Sequence, residues 1–144
     1  MFVALLATAL AMAAAMAHAL ELPNKMALAR DEYFIVQDIY RGWNRLAYLL
    51  AIELAAMVAV AVRARRTPRV LFPTITAIGC LVAAQAIFWI WTYPANTATA
   101  NWTTIPDDWE ALRTQWEYSH LAGAGFQVLA LCALIVAALA HGRQ

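Results

Sequence analysis

Two apolar runs, NRLAYLLAIELAAMVAVAV at residues 44–62 and VLFPTITAIGCLVAAQAIFWIWTY at residues 70–93, are separated only by RARRTPR at residues 63–69. Each run approaches or exceeds the roughly 20 apolar residues that a helix needs to cross the hydrocarbon core of a membrane. Because the connection is so short, the two helices must be antiparallel neighbours. The centre of the chain therefore predicts a transmembrane helical hairpin.

The two ends of the chain supply two further apolar runs, at about residues 1–22 and 119–140. Hydrophobic residues make up 64% of the sequence and charged residues 13%, whereas an average soluble domain has about 45–50% and 25%. A soluble domain of this size leaves too much of its surface in water to hide so many apolar side chains. We predict a single all-α domain over residues 1–144, an integral membrane four-helix bundle in contact with the lipid bilayer.

The first run has an alternative interpretation as a cleaved signal peptide, because Ala17-His18-Ala19 fits the A-x-A pattern of a cleavage site. Such peptides normally begin with a positively charged region, and here no Lys or Arg precedes Lys25. We therefore expect the first run to be retained as a transmembrane helix.

The charged residues bear on partners and orientation. Ten Lys plus Arg against nine Asp plus Glu give no concentrated basic face, so we expect no nucleic-acid partner. The short loop at 63–69 carries four Arg and no acidic residue, which is typical of a cytoplasmic loop. This pattern predicts a protein of the bacterial inner membrane with both termini in the cytoplasm. The opposite orientation stays open, because four basic residues also lie in or next to the first long connection: Lys25, Arg30, Arg41 and Arg45.

The two long connections also carry structural signals. Residues 24–43 mix apolar and charged side chains as an amphipathic helix does, and Ile105-Pro106-Asp107-Asp108-Trp109-Glu110 predicts a short capped helix before the fourth span. Tryptophan and tyrosine concentrate at membrane interfaces. We interpret the following residues as an interfacial belt: Trp43, Trp89, Trp91, Tyr93, Trp102, Trp109 and Trp116.

Two short motifs mark the candidate site: His18-Ala19-Leu20-Glu21 at the end of the first run and Glu117-Tyr118-Ser119-His120 at the start of the fourth. Residues three apart lie on one face of a helix, and alternating helix directions bring both motifs to the same membrane surface. The sequence predicts a polar pocket there, with Glu117 and His120 as catalytic groups. Alternatively, each pair is only an interfacial hydrogen bond or a helix cap.

A metal site is a further interpretation of the same residues. Bundles that hold metal ions use Glu-x-x-His motifs together with single Glu residues, and imidazole with carboxylate suits transition metals such as iron, manganese, zinc or copper. The candidate ligands are His18, Glu21, Glu53 and His120. A proton-handling pocket without a metal remains the alternative.

Polar residues inside the other spans need a reason, because an ionisable or polar group in lipid is costly unless it is paired or faces a cavity. Glu53 lies near the middle of the second run, and Gln85 and Gln127 lie in the third and fourth. Alternating helix directions place all three in the same half of the bilayer as His18 and His120. We regard Gln85 and Gln127 as candidates for binding a cofactor or an apolar ligand such as a quinone.

The C-terminal third carries a pattern of larger extent: Asn96 after Tyr93-Pro94, then Trp102, Pro106, Trp109, Leu112-Arg113, Trp116-Glu117 and His120. This pattern resembles the DUF1772 family of small, anthrone-oxygenase-like membrane proteins. The resemblance implies a four-helix membrane bundle and catalytic roles for Asn96, Trp116, Glu117 and His120. It also implies oxidation of polycyclic anthrones by molecular oxygen, without an evident organic cofactor, for some members.

Two classes of function follow. In the first, the protein is an oxidoreductase or oxygenase in which Glu117 and His120 remove a proton from an apolar small molecule. In the second, it is a noncatalytic accessory or ligand-binding subunit, in a homo-oligomer or a membrane complex. Convergence of His18, Glu53 and His120 around a cavity would favour catalysis or ligand binding, and separate contacts through filled packing would favour the accessory role.

Overall fold

The computed structural model describes residues 1–142 and contains no β-strand among them. Four helices dominate the chain: α1 (Phe2–Ala27), α3 (Leu46–Arg63), α4 (Pro68–Ile87) and α6 (Trp109–His141). With their helical extensions, four segments are long and apolar enough to cross a membrane: Phe2–Ala27, Trp43–Arg63, Pro68–Ala98 and Trp109–His141. The prediction of an all-α four-helix bundle is confirmed.

Helix α6 packs against both α1 and α4, and α3 packs against α1 and α4. The central core is built largely from alanine with a few larger side chains, Ala4, Met57, Ala77, Leu81, Ala130 and Leu134. Small residues let helices approach closely, which is the usual basis of packing between membrane helices. Ala4 and Leu134 share this core while His18 lies against His120, so α1 and α6 run antiparallel.

Helix α1 extends beyond the predicted first span, to Ala27, with Pro23 inside it. A proline removes one backbone hydrogen bond and crowds the preceding turn, but here only one further turn follows. The consequence is that Lys25 belongs to α1 and is almost fully buried. The end of α1 thus reaches into the candidate site.

The first long connection contains a short helix, α2 (Arg30–Gln37), followed by 3₁₀ turns at Asp38–Tyr40 and Trp43–Arg45. The Glu32 carboxylate accepts a hydrogen bond from the Ala29 backbone N–H at 3.1 Å and so caps α2. Within α2, Tyr33 and Gln37 are buried while the charged first turn is exposed. The amphipathic helix predicted for residues 24–43 is thus α2, shorter than expected and flanked by turns.

The second long connection begins as a continuation of α4 and ends in an irregular segment at residues 99–108. The last turn of α4 becomes a π-helical segment (Phe88–Thr92) and then α5 (Tyr93–Ala98). Pro94 has no backbone N–H to donate to the carbonyl four residues earlier, and the π-helical turn lies directly before it. The chain then turns through three left-handed residues, Ala100, Asn101 and Trp102, with φ of 46°, 57° and 65°.

The short helix predicted before the fourth span is not a separate element. Helix α6 begins at Trp109 and continues to His141 over 33 residues. No Pro or Gly occurs between residues 107 and 122 to interrupt it. Asp108 precedes the first turn, as predicted for the cap residue, but its side chain makes no capping hydrogen bond.

Candidate functional site

The candidate site lies at one end of the bundle, where the last turns of α1, the first connection and the first turns of α6 meet. His18, Glu21 and Lys25 are spaced three and four residues apart, so they share one face of α1. Glu117 and His120 share the facing side of α6 for the same reason. This spacing brings five polar side chains from two helices into one cluster.

A buried ion pair forms the centre of the cluster. The Lys25 ammonium lies 3.0 Å from Oε1 of Glu117, and the two residues are only 3% and 1% exposed. The hydroxyl of Tyr33, a fully buried residue, donates to the same Oε1 at 2.9 Å. The second carboxylate oxygen of Glu117 is buried and has no hydrogen-bond partner within residues 1–142. That oxygen is therefore a free acceptor inside the protein.

The ion pair is linked to the end of the bundle by Tyr40 and Glu21. Lys25 donates to the Tyr40 hydroxyl at 2.9 Å and lies 3.6 Å from the Glu21 carboxylate. The Tyr40 hydroxyl in turn donates to Glu21, whose side chain is 39% exposed. Carboxylate, phenol, ammonium and carboxylate thus form one continuous chain that can carry a proton between Glu117 and the surface.

The two tyrosines of this network are held in their neutral form. Burial, followed by the nearby charge of Glu117, raises the pKa of Tyr33. Burial, followed by the hydrogen bond to Glu21, raises the pKa of Tyr40. Both hydroxyls therefore stay available as hydrogen-bond donors at any physiological pH.

The two histidines lie side by side, with ring centroids 4.2 Å apart. Nδ1 of His120 lies 2.9 Å from the carbonyl oxygen of Trp116, and since a carbonyl only accepts, a neutral His120 must carry its proton on Nδ1. Nε2 of His120 is then unprotonated and can act as a base. His18 is 6% exposed, and its Nδ1 has no partner within residues 1–142.

Aromatic side chains surround these polar groups. Trp116 packs against His120 with centroids 4.0 Å apart, and Tyr40 and Trp43 pack against His18 at 4.6 and 5.3 Å. The Lys25 ammonium lies 4.9 Å from the ring centroids of both Tyr40 and Trp116, within the range of cation–π attraction. The charged groups are thus enclosed by π-faces, which exclude water from the ion pair.

Asn96 holds two of the tryptophans in place. Its Oδ1 accepts hydrogen bonds from Nε1 of Trp116 at 2.8 Å and of Trp102 at 3.2 Å. The interpretation of Trp102 and Trp116 as interfacial belt residues is wrong, because they are only 6% and 4% exposed and pack on the site instead. Both indole N–H groups need a buried acceptor, and Asn96 supplies it. Asn96 therefore has a positioning role here.

Glu53 and Gln127 lie elsewhere in the bundle. Nε2 of Gln127 faces Oε2 of Glu53 at 3.5 Å, and Gln127 lies seven residues beyond His120, which is about 10 Å along a helix. Gln85 is half-buried on α4. The structure therefore brings together His18, His120, Glu21, Glu117, Trp116 and Asn96, and it separates Glu53 and Gln127 from them.

This separation bears on the metal hypothesis for His18, Glu21, Glu53 and His120. Across residues 1–142, no three His, Cys, Asp or Glu side chains are arranged to hold a metal ion. The two imidazoles offer two nitrogen ligands. Glu117 has one free oxygen, but Lys25 engages its other oxygen and also the Glu21 carboxylate, and the positive charge of this ammonium disfavours a second cation beside it. The arrangement thus falls short of the three or four protein ligands that metal sites use.

Sequence reasoning missed Lys25, Tyr33 and Tyr40. Lys25 had a usable signal, because it follows Glu21 by four residues and His18 by seven, on the same helical face. Pro23 concealed that signal by marking an apparent end of the helix. Tyr33 and Tyr40 gave no such signal, because their partners lie 84 and 15 to 19 residues away in the chain.

Comparisons of this chain with protein-family models, with curated proteins and with solved structures found no match. The resemblance of residues 93–120 to the DUF1772 family therefore rests on the quoted motif residues.

Proposed function

We propose that this protein is an integral membrane oxidoreductase that removes a proton from an apolar substrate and lets molecular oxygen oxidise the resulting carbanion. The observation that carries the proposal is the histidine pair, His18 and His120, set beside the buried ion pair of Lys25 and Glu117. A base with a defined lone pair and a shielded charge network are what proton abstraction from carbon requires. The resemblance of the residues around Trp116 to the DUF1772 family adds the expectation of an anthrone-like, polycyclic substrate.

The chemistry balances without an organic cofactor. An activated methylene gives a proton to Nε2 of His120, and its electron pair stays on the carbon. Dioxygen accepts those electrons and forms a carbon–oxygen bond, and the peroxide takes the proton back from His120. Loss of water then leaves a ketone, so that one CH₂ group and one O₂ give one C=O group and one H₂O.

A groove of about 280 Å³ supports access of a substrate. Its lining includes Ala14 of α1 and the turn that precedes α3, Gly42, Trp43, Arg45 and Leu46. Trp43 both lines this groove and packs against His18. A flat aromatic molecule that enters here meets Trp43 first and His18 next.

A noncatalytic role as an accessory or ligand-binding subunit is the second candidate function. The observation in its favour is the direct packing of aromatic rings on both imidazoles. In that case the site grips an apolar ligand or a partner helix without chemical change. The two candidates differ in whether oxygen is consumed.

The test is oxygen uptake by the purified protein in lipid nanodiscs with anthrone as the probe. We expect uptake above spontaneous oxidation, and we expect His120→Ala and Glu117→Gln to abolish the excess. His141→Ala, at the exposed end of α6, is the matched control and should retain it. Thermal unfolding of each variant verifies that it is folded.

Two results would overturn the proposal. Full activity in folded His120→Ala would remove the assigned base. No excess uptake, with anthrone still quenching tryptophan fluorescence in the wild type, would instead favour the ligand-binding role. Elemental mass spectrometry on wild type and His120→Ala shows separately whether the histidine pair binds iron, manganese, zinc or copper.

We also propose that the site faces the outside of a bacterial inner membrane. The arginine-rich loop between α3 and α4 favours a cytoplasmic location, and the site lies at the opposite end of the bundle from that loop. Both termini would then be cytoplasmic.

A further inference from the structure

A second polar cluster lies deeper in the bundle, apart from the candidate site. It consists of Thr8 on α1, Glu53 on α3 and Gln127 on α6, which are 0%, 0% and 4% exposed. The Thr8 hydroxyl faces the Glu53 carboxyl without reaching hydrogen-bond geometry, and Gln127 faces the same carboxyl at 3.5 Å. Three helices therefore direct oxygen-bearing side chains at one point inside the apolar core.

These side chains do not satisfy one another. Oγ1 of Thr8, Oε1 of Glu53 and Oε1 of Gln127 are all buried without a hydrogen-bond partner within residues 1–142. The Gln127 contact is also long, since an N–H···O hydrogen bond usually measures about 2.7–3.2 Å. A buried polar oxygen without a partner is unfavourable. Three of them at one point indicate a site for something that oxygen atoms bind.

No positive side chain compensates the carboxylate. Within residues 1–142, no Lys, Arg or His forms an ion pair with Glu53. Helix α4 carries no charged residue after Arg69. The nearest Lys, Arg or His side chains on α6 and α1 are His120, about two turns from Gln127, and His18, about three turns from Thr8. A carboxylate this deep in a membrane needs a counter-charge.

We propose that Thr8, Glu53 and Gln127 bind a small monovalent cation, of which Na⁺ is the reference case. Carboxylate, amide and hydroxyl oxygens are the hard ligands that such ions take, and one negative charge matches one positive charge. The Gln127 amide can also serve as a ligand. A half-turn about its terminal bond places the oxygen Oε1 where the nitrogen Nε2 now lies, so that an acceptor replaces a donor. The site is distinct from the histidine pair and does not depend on its chemistry.

Thermal unfolding in detergent tests the proposal, with NaCl replaced by choline chloride at constant ionic strength and pH. A cation that binds only the folded state raises the melting temperature, by about 5 °C at ten times its dissociation constant. We expect this rise in the wild type, its loss in Glu53→Gln and a smaller rise in Thr8→Val. Glu110→Gln, the same change at an exposed carboxylate of α6, should leave the rise intact.

Each other result contradicts the proposal. A rise that persists in Glu53→Gln means that Na⁺ acts elsewhere, and no rise up to 0.5 M, roughly ten times a weak dissociation constant, means that no such site exists. If instead the wild type ignores Na⁺ but loses stability with rising pH while Glu53→Gln does not, the carboxyl holds a proton in place of a cation. If Glu53→Gln cannot be purified, Thr8→Val is compared with the wild type. A Na⁺-dependent rise in melting temperature that is as large in Thr8→Val as in the wild type would then overturn the proposal.

Discussion

At the scale of single residues, Lys25 and Glu117 depend on each other. Both are buried, and removing one partner of a buried pair leaves an uncompensated charge, at a cost of about 3–5 kcal/mol. We expect Lys25→Met to lower the free energy of unfolding by that amount, and Glu117→Gln by less, because Lys25 keeps the Glu21 carboxylate at 3.6 Å. The double variant should be less destabilised than the sum of the two, because it removes both buried charges.

Unfolding in SDS, followed by circular dichroism, measures this coupling. The matched control is Arg41→Met, which breaks the exposed pair of Arg41 with Asp38 at 2.8 Å and should change stability little. Strictly additive effects of Lys25→Met and Glu117→Gln would contradict the role given to the pair.

The raised pKa values of Tyr33 and Tyr40 give a second prediction at this scale. Of the five tyrosines, these two should remain protonated when the pH passes the ordinary value of 10.0. Above that pH the folded state holds more protons than the unfolded state, so stability is complete below pH 10 and falls as the pH rises further. Ultraviolet absorbance of tyrosinate should show two late ionisations that coincide with unfolding, and Tyr33→Phe and Tyr40→Phe should each remove one. Simple titration of all five near pH 10 would contradict the described hydrogen bonds.

At the scale of elements, the left-handed turn after α5 is the most constrained segment. Three consecutive non-glycine residues with positive φ are unfavourable, and hydrogen bonds hold the turn in place: the Trp102 backbone N–H donates to Oγ1 of Thr99 at 3.0 Å, and the Asn101 N–H donates to the Asn96 carbonyl at 2.7 Å. This strained turn places the Trp102 indole against Tyr33 and within hydrogen-bond distance of Asn96. The turn therefore helps to build the site.

Substitution with glycine tests this account of the turn. Glycine adopts positive φ freely, so Ala100→Gly should stabilise the protein by about 1 kcal/mol. Ala111→Gly, at an exposed helical position of α6, is the control and should destabilise it, since glycine disfavours helix. Thermal unfolding compares the two, and a loss of stability in Ala100→Gly would show that the turn is not strained.

For the whole molecule, the sequence predicted the bundle better than the site. The four spans followed from hydrophobicity and length, which act locally along the chain. The meeting of His18 and His120 could be predicted because successive spans cross the membrane in alternating directions. The end of the first span and the start of the fourth therefore lie at the same surface. The burial of Lys25 and Trp116 in the site could not be predicted, because it depends on which side chains a neighbouring element places against them. Glu53 was placed with the histidines because sequence gives the half of the bilayer but not the depth within it.

The orientation of the whole molecule is the last prediction. If the Arg65 loop is cytoplasmic, the connection that contains Asp107 lies outside, together with the candidate site. After replacement of Cys80 and Cys132 by Ala, Asp107→Cys in intact cells should react with a membrane-impermeant maleimide, and Arg65→Cys should react only after permeabilisation. The reverse pattern would put the site in the cytoplasm, where its groups would exchange protons with the cytosol. Labelling of both positions from one side would contradict a membrane-spanning Pro68–Ala98 segment, because that segment alone separates the two loops.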